Sequence, residues 1–268
     1  MRNLARFAAC LLVLGWAVAG AQTRISIRPE PKPGQTIHVT STQAISISID
    51  AGVAAGQPAA AQIMTEAVLG YTQVNGSFDD QGRMESQLTV EHFDMKQSLN
   101  GIPKPTGDIP EFLGSSITAV FDRSGKLVDI KVPKDLEQDS PILKQMVAGA
   151  NGAVNLLPAE PMSIGEDGTV SSNIPMRLPG SASPASYQTR TVTTLRGVEK
   201  NGSDRVAHFE QRLESDAGTE LVKLNGTGTI DLNLDRGFVA SSASEVSFAA
   251  AQPGAVHGSI KVTVAAHE

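Results

Sequence analysis

Five histidines, His38, His92, His208, His257 and His267, are the side chains in this sequence best suited to proton transfer or metal binding near neutral pH. None is paired at a helical ligand spacing, and no His, Asp and Glu cluster forms locally. His38 falls on the polar parity of a strand pattern and His267 stands beside the last residue. His92, flanked by Glu91 and Asp94, is the best supplied of the five, yet a solvated histidine is the commoner outcome of such a setting. No Gly-x-Ser-x-Gly elbow, Ser-x-x-Lys pair or phosphate-cradling glycine loop occurs. The carboxylates are scattered over turns, where Asp and Glu go for structural reasons. These absences predict a protein that is not an enzyme and that needs neither metal nor cofactor.

Recognition of sugars or nucleic acid has equally little to draw on. The only Trp, Trp16, lies in the first 21 residues, which leaves Tyr71 and Tyr187 as polar aromatic platforms. Asn75-Gly76-Ser77, Asn201-Gly202-Ser203 and Asn225-Gly226-Thr227 match the N-glycosylation triplet, but all three begin Asn-Gly, a turn pair, and turn chemistry explains them without sugar. Net charge is −6 with no basic run, which argues against nucleic acid.

The first 21 residues read as a cleavable export signal. Arg2 and Arg6 precede an apolar run over 7–20, and Ala19-Gly20-Ala21 supplies the small residues before Gln22. The run is shorter than the ~20 residues of a membrane span. Cys10 sits too early in it to be a lipidated cysteine. Cleavage would remove two cations, take the charge to −8, and remove Cys10, the sole cysteine. The expected product is exported, periplasmic or extracellular, without a disulfide or membrane span, and held together by its core.

What remains is strand. Ile37, Val39, Ile45, Ile47 and Ile49 share one parity while His38, Thr40, Thr42, Ser46 and Ser48 share the other, a long strand with one buried face. Residues 64–74 and 84–99 follow, the second changing its apolar parity near Glu91-His92 as a β-bulge would. The loop 100–111 leads to a hairpin, 116–121 and 126–132, turning at Asp122-Arg123-Ser124-Gly125. One helix is legible, 141–157, with Ser140 as cap, Pro141 at its first position and a wide apolar face that includes Ile142, Leu143, Met146 and Val147. Gly149 and Gly152 weaken it by about 1 kcal/mol each relative to Ala. Strands resume at 169–177, 187–199, 205–214, 220–234, 238–248 and 259–264. In the fourth of these, Val222, Leu224, Ile230, Leu232 and Leu234 form the apolar parity, with Gly226 and Gly228 in the same rank. The turn Asp235-Arg236-Gly237 echoes Asp122-Arg123-Ser124-Gly125, through duplication of a sheet unit or through shared turn chemistry.

The long strands, with a helix after an Asp-x-x-Gly hairpin, resemble uncharacterised bacterial secreted β-rich proteins and, more distantly, the periplasmic lipoprotein-carrier half-barrels. The resemblance spans 35–264 as a pattern of strands, and it implies an apolar concavity of the kind in which those carriers hold acyl chains.

The expected architecture is therefore mainly β (α+β): a curved antiparallel sheet or half-barrel of about ten strands, with one central helix on its concave face. Residues 22–34, with Pro29, Pro31 and Pro33, form an extended arm rather than core, and 35–268 a single domain of two strand-rich halves joined by the helix. Two functions fit. One is binding or carriage of a hydrophobic, lipid-like ligand, for which Phe121, Ile130, Ile142, Met146, Val147 and Leu232 are the candidate residues. The other is a structural or protein-interaction module of the cell envelope with a solid core. A sizeable cavity between helix and sheet would favour the first.

Overall fold

The computed structural model describes residues 24–50, 60–105, 113–134, 140–176, 185–215, 222–250 and 256–268, with 140–142, 173–176 and 185–187 described for backbone only. The export-signal reading of 1–21 and the Ser140 cap lie outside the described residues and side chains.

Twelve strands form one antiparallel sheet: β1 Thr36–Ile49, β2 Ala61–Phe78, β3 Arg83–Leu99, β4 Ile102–Lys104, β5 Ser116–Asp122, β6 Leu127–Lys131, β7 Asp167–Met176, β8 Ala185–Asn201, β9 Asp204–Ser215, β10 Val222–Asn233, β11 Phe238–Ala250 and β12 Val256–His267. Their spatial order is β6-β5-β3-β2-β1-β12-β11-β10-β9-β8-β7, with β4 beside β3. Each half is thus an antiparallel meander, and the two meet where β1 pairs with β12. The sheet does not close, because β6 and β7 occupy opposite edges. The chain crosses from one edge to the other through helix α1, Ser140–Asn151, and a 3-10 turn, Gly152–Leu156.

The helix therefore lies across the sheet's inner face. Leu143, Met146, Val147 and Ala150 share one buried cluster with Ile37 and Val39 of β1, Leu69 and Tyr71 of β2, Leu88 and Val90 of β3, Phe121 of β5 and Val264 of β12. The cluster thus draws on five neighbouring strands, which laid flat would span roughly 19 Å.

The expected helix is shorter than 141–157. Its α-helical part stops at Asn151, whose side-chain amide donates back to the Val147 carbonyl at 2.8 Å, and the chain tightens into the 3-10 turn at Gly152. Gly149 has a use besides weakening the helix: the Gln43 side-chain amide fills the place where its Cβ would stand and points at the Met146 carbonyl, 3.4 Å away.

Other expectations need correcting. The loop expected at 100–111 contains β4, which pairs with the end of β3 and takes Pro103 because an edge strand needs no further donor. Of the three Asn-Gly pairs only Asn201-Gly202 is a turn; Asn75-Gly76 lies inside β2 and Asn225-Gly226 inside β10. At Gly76 the partner strand decides, since a Cβ there would run into the Glu85 carbonyl. The bulge near Glu91-His92 is present: Gly70 pairs with His92 and Tyr71 with Val90, leaving Glu91 as the extra residue.

The N-terminal arm is extended but is also core. Ile27 is 1% exposed and packs with Leu157, Met162, Leu195 and Phe209, while Ile25 exchanges two backbone hydrogen bonds with Met162. Prolines preclude regular pairing within the arm but do not prevent an isolated apolar side chain from filling a gap. The arm also explains the echoed turns. Gly125 and Gly237, at φ +73° and +76°, sit against Pro29 and Glu30 respectively, so consecutive arm residues rest on the two turns. With β4 set aside, the turns join the fourth and fifth strands of each meander in chain order, β5 to β6 and β10 to β11, a placement that both duplication and shared turn chemistry accommodate.

Candidate functional site

Cross-strand register sorts the inner face into rungs, because paired residues point to the same side. The rung through Tyr71 carries Val90, Val39 and Ala266; the next carries Phe93, Leu69, Ser41, Val264 and Ser242. Then come Met95, Ala67, Gln43, Val262, Ser244, Gly228, Gln211 and Thr193. The last two rungs run Gln97, Thr65, Ile45, Ile260, Val246, Gly226, Leu213, Thr191 and Leu99, Ile63, Ile47, Gly258, Phe248, Leu224. From the Tyr71 rung to the Ile47 rung the ionisable side chains are the Tyr71 phenol and, where β4 extends the Gln97 rung, the exposed Lys104.

α1 covers the rungs from Gln43 to Tyr71: Gln43 meets Met146, and the Asn151 amide donates to the Tyr71 hydroxyl at 3.3 Å. Where the helix meets the sheet and the arm there is a slot of about 60 Å³, lined by Pro29, Ile37, Val39, Tyr71, Phe121 and Val154 among others. That is room for about two waters. The sizeable helix-to-sheet cavity that would have favoured a carrier is therefore absent among the described residues. Burial pushes the Tyr71 hydroxyl up to about 12, the Asn151 hydrogen bond offsetting a little of this. Unfolded tyrosine ionises near pH 10. Stability should be intact below that pH and fall as it rises from 10 towards 12, and Tyr71→Phe should flatten this part of a melting-temperature profile.

Past the Gln43 rung the inner face changes character. Ile45, Ile47, Ile49, Ile63, Leu99, Val246 and Ile260 stand side by side over β3, β2, β1, β12 and β11, and all are only half-buried. Among the described side chains, which for α1 begin at Leu143, none from the helix joins the neighbouring buried cluster of Leu213, Val222, Leu224, Phe248, Ala250 and Val256. This apolar strip is the candidate site. The alternation in β1 marks Ile45, Ile47 and Ile49 as inward-facing, and they do face inward, but one strand's pattern cannot say where a helix ends its cover.

The six residues expected to touch a ligand do not form one site. Phe121, Met146 and Val147 are buried together in the cluster beneath α1, and Ile130 packs against its edge half-buried. Leu232 is fully buried in a different cluster, around Ile27 and Phe209. Of the six, Phe121 lines the slot. Ile142 lies outside the residues whose side chains are described.

The histidines lie on the outer face, where His38 stacks on His267 with ring centroids 5.4 Å apart. His92, the best supplied by sequence, is exposed, and no metal-ligating cluster occurs among the described residues. His38 Nδ1 lies 2.8 Å from the Thr72 hydroxyl. His208 sits among carboxylates. Its Nδ1 lies 2.7 Å from Asp231 Oδ1, and Asp231 Oδ2 accepts a hydrogen bond from the Ser241 hydroxyl at 2.6 Å. The order is serine, aspartate, histidine, so the serine faces the carboxylate and not the imidazole. The other nitrogen, Nε2, is shut off from solvent without a hydrogen-bond partner. A general base needs that lone pair within reach of a substrate. Sequence spacing hides the array, since its members come from three strands.

No known protein family matches the sequence, and no curated protein does. Among solved structures the chain is similar to one of lipovitellin, described as showing lipid–protein interactions, with TM-score 0.51 and 13% identity over 88% of this chain and 25% of that one. The likeness is one of fold, and the chain spans a quarter of the length of the lipovitellin chain. DynF from the dynemicin biosynthesis pathway of Micromonospora chersina (TM-score 0.20, 8% identity, 89% of this chain and 83% of that one) and the translocator domain of autotransporter NalP from Neisseria meningitidis (0.22, 8%, 88% and 89%) superpose too poorly to argue from. Among the described residues no helix is long and apolar enough to cross a membrane.

Proposed function

We propose that this is a non-enzymatic, exported protein, periplasmic or extracellular, that binds a hydrophobic, lipid-like ligand on the inner face of its open sheet. The observation that carries the reading is the half-exposed strip of Ile45, Ile47, Ile49, Ile63 and Ile260 past the rung on which Gln43 meets Met146. Apolar surface left partly wet inside a curved sheet gains about 25 cal/mol per Å² when a ligand covers it. The described lipid contacts of lipovitellin, whose sheet is similar, support the same direction. The small slot beneath the helix favours a second reading, an envelope interaction module with a solid core.

A fluorescent apolar probe separates the two. Wild type should take it up, and Ile47→Asp should abolish uptake while leaving the protein folded, because Ile47 is only half-buried. Met146→Ala, at a side chain 3% exposed, should cost about 2–5 kcal/mol yet retain or increase uptake by widening the space at the end of the helix. Folded wild type and Met146→Ala that both ignore the probe would leave the interaction module as the function.

A further inference from the structure

Resting on that reading, we propose that the ligand is a single-chain amphiphile with an anionic head, a fatty carboxylate, whose head lies at Lys104 of β4 and whose chain runs from there along the strip. β4 brings two side chains to the inner face. Its register sets Ile102 opposite Leu99 and Lys104 opposite Gln97, so each points to the same side as its partner. The short strand is held in place. Asn100 and Gly101, at φ +52° and +76°, form the two-residue turn of a tight hairpin. Asn100 is tied to β2 as well, its N–H donating to the Gln62 carbonyl at 2.8 Å and its Oδ1 accepting from the Gln62 N–H at 2.7 Å.

The two rungs that β4 extends differ in kind. One reads Ile102, Leu99, Ile63, Ile47, Gly258 and Phe248, apolar from the sheet edge inward. Ile102 is 64% exposed, more than any other large apolar side chain among the described residues. From Ile102 to Ile47 is three strand spacings, roughly 14 Å, the reach of a medium-length alkyl chain. The other rung reads Lys104, Gln97 and Thr65 before it turns apolar at Ile45, Ile260 and Val246. An ammonium, an amide and a hydroxyl thus stand side by side where the strip meets the edge. None of the three has a hydrogen-bond or ion-pair partner among the described residues. Lys104 is also the only charged side chain on the inner face from the Tyr71 rung to the Ile47 rung among the described residues. A carboxylate, which only accepts hydrogen bonds, suits three donors in a row, and a bond from an ammonium to it is the charge-assisted kind. A neutral head would leave the Lys104 charge without a use, and a cationic one would be repelled. The chain as a whole carries −6 and repels anions in general, so a preference for one has to arise from this local arrangement.

The test is displacement of the bound, uncharged fluorescent probe from the whole folded protein at pH 8 and low salt. The competitors are dodecanoate, 1-dodecanol and dodecyltrimethylammonium, which share a twelve-carbon chain. Lys104→Gln should weaken dodecanoate about two- to fivefold, as loss of an exposed ion pair does, and leave 1-dodecanol unchanged. Lys104→Glu should weaken dodecanoate further and strengthen dodecyltrimethylammonium. Salt at 0.5 M should shrink these differences. Lys104 is exposed, so both variants should melt as wild type does. Ile102→Ser should weaken all three competitors alike, because it alters the path of the chain and not the head. Dodecanoate affinity indifferent to both Lys104 substitutions would overturn the proposal while leaving a binder of hydrophobic molecules. Ile102→Ser without effect on any competitor would overturn the course of the chain. A probe that folded wild type never takes up, or that none of the three displaces, would overturn the binding reading itself.

Discussion

Leu69→Asp should leave almost no folded protein at 25 °C, whereas Thr40→Asp on the other face should be tolerated. Leu69 is 0% exposed in the cluster beneath α1, with Ser41 of β1 and Phe93 of β3 as its register partners. The change forfeits about 1.5–3 kcal/mol of side-chain burial. It also places a carboxylate on a rung where nothing pairs with it, at a further cost of several kcal/mol. Together these match much of the ~5–15 kcal/mol that holds a domain folded. Thr40 is exposed on the outer face and its register partners are Gly70 and Ala265, so its change meets neither burial nor like charge. Circular dichroism melts of the two variants decide it, and similar melting temperatures would refute the assignment of faces.

Deleting the arm, residues 24–33, should cost about 3–5 kcal/mol, roughly 10 °C for a chain of this size. The loss has several sources. Ile27 leaves its place against Leu157, Met162, Leu195 and Phe209, and the paired backbone bonds of Ile25 and Met162 go. The two turns lose what rests on them, and the Lys32 ammonium no longer reaches the Asp235 carbonyl. A point substitution refines the test. Gly237→Ala should combine the ~1–2 kcal/mol of a left-handed backbone with a collision against the Glu30 carbonyl. Gly34→Ala, at φ +75° with nothing near its Cβ, should show the backbone cost alone. Equal melting temperatures for these two variants would show that the arm does not bear on the turn.

The strand pattern was legible because one face of the sheet is buried over long runs. Period-two alternation in β1 and β10 placed Ile37, Val39, Leu224 and Ile230 inside, and the parity switch at Glu91-His92 located a bulge. Legibility failed where a third element decides. Nothing local to Ile27 marks it as core, because its partners Met162 and Leu195 lie more than a hundred residues away. Asn75-Gly76 looks like a turn until Glu85 on the neighbouring strand claims the space. The candidate ligand residues were chosen for apolarity alone, which cannot distinguish a side chain packed beneath the helix, such as Met146, from one left half-wet beyond it, such as Ile47.

The pairing of β1 with β12 has a consequence for how the protein is made. β1 and β12, the first and last strands of the sheet in chain order, form its central seam, so the middle of the sheet cannot be zipped until Val256–His267 has emerged. Through synthesis β1 would wait with one flank unpaired over fourteen residues that include no Lys, Arg, Asp or Glu to discourage a neighbour. Such a topology folds slowly and late, and it favours a chain kept apart from its copies until complete. A stop codon before Val256 would not merely shorten the protein: it would leave two half-sheets, each with a sticky flank, and the product should be found in aggregates.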